Sequence, residues 1–219
     1  LSLARKPLPI ESLSRVITRL HEREAPASLE QLEAVVASLE EKFFLERVRH
    51  EFPLRGEDAG YYFRMADYAL LLASRIDAER TASIQQCLGE HCRDLLAAQG
   101  DEGAYEIFHH LIRGRRPVDA IRFGIQAVER FTRAFSPEKA VLACDEILAV
   151  LNESPPRRTE RSVAAGAVGI VGPERARSLR LVLERKSDLH LRLREYAAAE
   201  QALAQLLGEE DEILSAHER

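Results

Sequence analysis

Tryptophan is absent from this chain, methionine occurs once, and glycine supplies only 11 of the 219 residues. The three cysteines, Cys87, Cys92 and Cys144, are an odd number at no spacing that a disulfide framework would use. They read as reduced thiols in a cytoplasmic compartment. No apolar run approaches the ~18 residues a membrane-spanning helix needs, and no signal peptide opens the sequence. Basic excess is missing too: the formal net charge is −5. A nucleic-acid binder usually carries a basic surplus or one clearly basic element, and neither stands out. What remains is a chain that is 46% hydrophobic and 31% charged, enough to bury a core and to exclude wholesale disorder. Leu, Ala, Glu and Arg dominate, and these side chains lose little freedom in a helix. A mainly α fold follows. Leu1 begins in an apolar stretch without an initiator Met, so we expect a piece of a longer polypeptide.

The hydrophobic period divides the chain. Residues 8–20 place Leu8, Leu13, Val16, Ile17 and Leu20 on one helical face. Residues 28–43 step Leu29, Leu32, Val36, Leu39 and Phe43 by threes and fours, and Ser28 with Gln31 fits a capping box. The pattern then changes. Phe43 to His50 is rich in aromatic and branched residues. Tyr61, Phe63 and Met65 alternate with Tyr62 and Arg64, and a Pro- and Gly-containing stretch over 51–60 lies between. Helix, helix, strand, loop, strand is the order of a winged-helix wing, so residues 1–76 are expected to form a winged-helix-like unit with a small β-hairpin.

Only helices are expected after Ala66. Stripes run through 78–98 (Ile84, Leu88, Cys92, Leu95), 103–113 (Ala104, Ile107, Phe108, Leu111) and 118–135 (Ala120, Gly124, Ala127, Phe131, Phe135). Ser136-Pro137-Glu138 supplies an N-cap, a Pro at the first helical position and a first-turn acid. Val141, Cys144, Ile147, Leu148 and Leu151 follow on one face. Residues 153–173 read as a linker or mobile loop. Residues 174–219 read as a C-terminal helical hairpin, with Leu179, Val182, Leu183, Leu189 and Leu193 before a turn at Arg194-Glu195, and Ala199, Ala202, Leu203 and Leu206 after it. A polar tail from Gly208 is expected to fray.

The last hairpin resembles a tetratricopeptide repeat. Leu193-Arg194-Glu195-Tyr196 stands at its turn and Ala199 at its helix crossing, while Leu183 and Ser187 replace the repeat's usual Trp and Gly. The stretch from Leu111 to Leu148 is similar, but Ala120 and Ala140 lie 20 residues apart where a regular array has about 34. Residues 77–152 are therefore read as irregular tetratricopeptide-like hairpins of an α-solenoid. A winged unit running into such repeats resembles the region after the nucleotide-binding core of STAND-class signal-transduction ATPases, relatives of AAA+ proteins that include bacterial transcription activators and kinase-linked regulators. The residues carrying the likeness are Leu3, Pro7-Leu8-Pro9, Leu39 to Phe44, Tyr61 to Arg64, His109-His110, Ala120 and Ala127. The resemblance implies an ATPase core outside this sequence and a winged unit that packs within the protein.

Chemical motifs do not appear. The sequence has no Gly-x-x-x-x-Gly-Lys-Ser/Thr, no Gly-x-Ser-x-Gly and no His-Glu-x-x-His, and the glycines over 166–172 lack a dinucleotide fingerprint. We therefore expect no catalytic, cofactor or metal site. Cys87, His91 and Cys92 leave two readings open: three ligands of a zinc site without its fourth, or core thiols beside a partly exposed His. His109 and His110 are adjacent, so one is expected to pack and the other to face outward. Aligning the hairpins by their small crossing residues puts Tyr105, His109 and Arg113 on the inner face of one first helix. Glu129 and Arg133 take that place on the next, and Asp188 and Arg192 on the last. Such faces bind partners in repeat proteins, and Arg offers carboxylates a planar fork of donors. A solvated face of i,i+4 ion pairs is the competing reading. The expected partner is a protein or peptide, or a neighbouring domain of the same polypeptide. The alternative is a DNA-binding regulator using Arg47, Arg49, Arg55 and Arg64 of the wing, with Glu46, Glu51, Glu57 and Asp58 set among them.

Overall fold

The computed structural model describes residues 8–20, 28–49, 59–99, 103–152 and 173–217. Among these residues the protein is mainly helical with one small antiparallel sheet. The order is α1 (Ile10–Leu20), α2 (Leu29–Glu41), β1 (Leu45–Arg49), β2 (Ala59–Phe63), α3 (Ala66–Ser74), α4 (Ala78–Gln99), α5 (Ala104–Arg113), α6 (Pro117–Arg133), α7 (Pro137–Asn152), α8 (Pro173–Arg192) and α9 (Tyr196–His217). No helix among them is long and apolar enough to cross a membrane. Contacts divide the chain into two compact units, Leu1–Arg115 and Arg116–Arg219. The division falls inside the expected 77–152 repeat segment, because α4 packs on α1 as well as on α5.

In the first unit Leu13 and Val16 of α1 are buried, and α1 lies against α2 and α4. The capping box of α2 forms: the Gln31 amide donates to Ser28 Oγ at 3.2 Å and the Ser28 amide to Gln31 Oε1 at 3.0 Å. The hairpin pairs Leu45 with Phe63 and Arg49 with Ala59. Two expectations change here. Leu8 is not on the first helix. It bridges Tyr61, donating to its carbonyl at 3.2 Å and accepting from its amide at 3.0 Å. Pro9 explains this, since the residue before a proline is held out of the helical region. Met65, expected to extend the strand alternation, instead precedes α3 as its N-cap in extended conformation. The loop over 50–58, with Glu51, Arg55, Glu57 and Asp58, lies outside the described residues, as does the linker over 153–172.

In the second unit α6 packs on α7, α7 on α8 and α8 on α9, and α6 also touches α8. The two short turns described here each use a left-handed residue that is not glycine: Phe135 (φ 53°) between α6 and α7, and Arg194 (φ 61°) between α8 and α9. Both close the same way. The Ser136 amide donates to Phe131 C=O and the Glu195 amide to His190 C=O, each at 2.9 Å, in the helix-ending arrangement that normally recruits Gly. Five residues after each left-handed residue stands a buried alanine, Ala140 and Ala199. Arg115 (φ 58°), Pro117 and Ala120 repeat that spacing before α6.

Three more sequence expectations are corrected. Phe135 does not continue the α6 stripe: α6 ends at Arg133, and Phe135 projects from the turn, 93% exposed. The cause is Ser136-Pro137, which starts the next helix and forces the reversal one residue earlier. The chain from Gly208 stays helical to His217. Finally, His91 is buried while Cys87 and Cys92 are half-buried, the reverse of core thiols beside an exposed His.

Candidate functional site

The seven residues aligned from sequence fall into the two units. In the first, Tyr105 and His109 are half-buried one turn apart on α5, with ring centroids 4.4 Å apart and edge to face. Arg113 is exposed at the C-terminus of the same helix, where a cation suits the helix dipole. In the second, Glu129 and Arg133 on α6 and Asp188 and Arg192 on α8 are all exposed. Each pair is spaced i,i+4, and α6 and α8 touch, so these four charges share one unit as two acids and two bases. The structure thus groups Tyr105 with His109 and Arg113, and Glu129 and Arg133 with Asp188 and Arg192.

The adjacent histidines are both at least partly covered, His109 being half-buried. His110 is buried and its Nδ1 lies 2.6 Å from Gln85 Oε1, itself buried on α4. His91, 2% exposed on α4, has an Nε2 without a hydrogen-bond partner. Burial, then the positive charges of Arg19 and Arg15, hold its pKa below the ordinary 6.5, against the pull of Asp94. Arg19 of α1 donates to Asp94 of α4, which holds the Asp94 carboxyl below its usual range. A buried neutral imidazole fits a packing role better than proton transfer. Among the described residues no group of three His, Cys, Asp or Glu is placed to hold a metal ion. Cys144 is buried, and burial pushes its thiol up to about 12, so the reactive thiolate is not formed near neutrality.

Apolar surface is exposed in both units. In the first, α3 buries none of its residues, and Leu70, Leu71 and Leu72 are exposed along it. Beside it, Phe44 and Tyr68 meet edge to face at 5.1 Å, and the Arg64 guanidinium stands 5.5 Å over the Phe43 ring. In the second, α9 exposes Tyr196, Leu203 and Leu207 along a stripe that flanks the buried Ala199, Ala202 and Leu206.

No protein-family model, curated protein or solved structure matches the chain. The surfaces must be read on their own chemistry. Spacing alone marks Leu203 as part of a buried stripe, and it carries the α6 stripe on through Phe135. A Ser-Pro pair immediately after it was the signal that the helix had already ended.

Proposed function

We propose that this chain is a non-catalytic protein–protein interaction and regulatory module, built on tetratricopeptide-like hairpins and belonging to a larger STAND-class ATPase or related transcription regulator. One observation supports the reading: α6, α7, α8 and α9 pack in chain order, and the α6–α7 and α8–α9 turns each use a left-handed residue followed five positions on by a buried alanine. Helical units of that kind cannot bury their apolar faces alone, so they stack, and the stack offers an extended surface. In this reading the exposed Arg133 and Arg192 engage carboxylates of the partner, with Glu129 and Asp188 setting which charges are accepted. Arg113 serves the first unit in the same way. Titrating the chain against the neighbouring domains of its parent polypeptide tests this. Arg133→Ala with Arg192→Ala is expected to weaken binding, most at low salt. Absence of contact with any neighbour, or full tolerance of those changes, removes the Arg face from the proposal.

The DNA-binding reading draws on the element order, helix, helix, hairpin, with Leu8 bridged to β2. Charge weighs against it. Glu30, Glu33, Glu40 and Glu41 lie on α2, which has no Lys or Arg, so the helix that would enter a groove repels phosphate. A mobility shift on mixed duplex DNA at low salt separates the two readings. Salt-dependent binding favours DNA; its absence leaves the interaction module.

A further inference from the structure

The seam where α1 lies on α4 holds polar atoms that are not equally satisfied. Arg19 of α1 donates through Nη2 to Asp94 Oδ2 of α4. Its other terminal nitrogen, Nη1, is buried and finds no protein acceptor among the described residues. His91, one turn before Asp94 on α4, is buried, and its Nε2 is likewise without a protein partner. Arg15, one turn before Arg19 on α1, is exposed. The charges that act on His91 are those of Arg19, Arg15 and Asp94, two positive and one negative. Asp94 is already committed to Arg19 and lies 3.9 Å from Arg93 Nε. Glu90 and Cys87, also on α4, act on Arg19. On α5, the other helix packed on α4, the titratable side chains are Tyr105, Glu106, His109, His110 and Arg113, and His110 turns to Gln85.

A neutral His91 fits this seam and a cationic one does not. The cation has an N–H on both ring nitrogens. It would set a full charge beside Arg19 with no carboxylate to spare, and a buried charge is tolerated only when paired and hydrogen-bonded. The seam can relieve this by parting, and the two helices are not equally free to move. α4 is held to α5 so closely that Gly89 and Gly114 leave no room for a Cβ, and by Gln85 on His110. α1 is an 11-residue helix with α2 as its other neighbour. We infer that the α1–α4 seam is an acid-operated latch, in which protonation of His91 lifts α1 from α4 while α4 stays on α5. The inference is independent of the interaction-module reading. Opening takes α4 away from the side of α1 that buries Ser12, Leu13 and Val16, so the surface the first unit offers changes with pH. The direction of titration agrees. Burial and the two arginines keep the closed-seam His91 below its ordinary 6.5, a value it regains once open to water. By linkage the opened fraction then rises at most about tenfold between pH 7.5 and 5.5.

Hydrogen–deuterium exchange of the full chain at pH 7.5 and 5.5, corrected for the intrinsic exchange rate, reads the latch directly. A freed helix of 11 residues does not persist in water, so its amides exchange on release. Exchange through α1 is expected to rise by up to about tenfold at pH 5.5. α5, and α8 as a reference in the second unit, are expected to keep their protection. His91→Gln is expected to abolish the rise. Where that variant loosens α1 at both pH values, Arg15→Gln decides. Arg15 is exposed, so folding is kept, and loss of its charge is expected to shrink the rise. Equal exchange of α1 at the two pH values overturns the latch. So does a rise that survives His91→Gln or is unchanged in Arg15→Gln. A rise shared equally by α1, α4 and α5 also overturns it, since the whole first unit is then opening.

Discussion

The α4–α5 pair and the α8–α9 pair are both close antiparallel helix contacts, yet they achieve closeness by different means. Between α4 and α5 the close approach is at glycine. A Cβ on Gly114 would meet the backbone nitrogen of Gln86 at 2.7 Å, and one on Gly89 would meet the Leu111 side chain at 2.9 Å. The interior there is partly polar, with Gln85 against His110 and with His91 buried nearby. Between α8 and α9 the small residues are Ala199 and Ser187, whose Oγ lies 3.5 Å from the Ala199 carbonyl, and Val182, Leu183 and Leu189 are buried around them. The first contact tolerates no added atom against backbone. The second is an ordinary apolar crossing with a small side chain at its centre. The lesson is that one packing problem has two solutions, and they fail in different ways.

Gly114→Ala is expected to break the comparison most sharply. The added methyl group strikes backbone that cannot yield, and overpacking of this kind costs about 1–3 kcal/mol. Ser187→Ala in the other pair is expected to cost under about 1 kcal/mol, because the hydrogen bond it removes is long. Urea unfolding of both variants gives the two values; equal losses would mean the crossings are alike after all.

A second test concerns the turns. Phe135 pairs an exposed aromatic ring with a left-handed backbone that costs a side-chain-bearing residue about 1–2 kcal/mol. Phe135→Gly relieves that strain but gains chain freedom when unfolded, so a net stabilisation of about 1 kcal/mol is expected. Thermal melting checks it. A loss on Phe135→Gly would show the ring making contacts in the folded state despite its exposure.

The smallest effect is in pH. His91 takes up its proton less readily in the folded chain than its ordinary pKa of 6.5. Below that value the unfolded chain binds a proton that the folded chain resists, so stability falls as pH drops, and the loss levels off once the folded group also titrates. The slope is at most that of one proton. Asp94, held low by Arg19, loses its contribution only as pH falls below its ordinary 3.8, so the two windows separate. Urea midpoints between pH 7.5 and 4.5 are expected to decline in the parent and to flatten in His91→Gln. A decline unchanged in that variant would place the acid-labile group elsewhere.

Much of the fold was legible in the chain. The Ser28–Gln31 box, Ser136-Pro137 and Gly172-Pro173 marked helix starts, and α2, α7 and α8 begin there. The helix–helix–hairpin order was legible because the hydrophobic period changes after Phe43. Boundaries failed where one residue satisfied two patterns. Leu8 and Phe135 both sit at helical spacing, and in each case a neighbouring proline decided otherwise. Of the candidate site, which the alignment placed on an inner face, Arg113, Glu129, Arg133, Asp188 and Arg192 are exposed, and Tyr105 and His109 are half-buried. The apolar surfaces were not readable, since a stripe looks the same covered or bare.

The sequence by itself determined where helices form and which side of each is apolar, because period, caps and prolines act within a few residues of one another. Only the tertiary structure decided which apolar sides are shielded. Cys144 with Leu148 and Leu203 with Leu207 occupy equivalent positions on their helices, and one pair is dry because α8 crosses it. Burial depends on a second segment arriving from elsewhere in the chain, and no local pattern records whether one does.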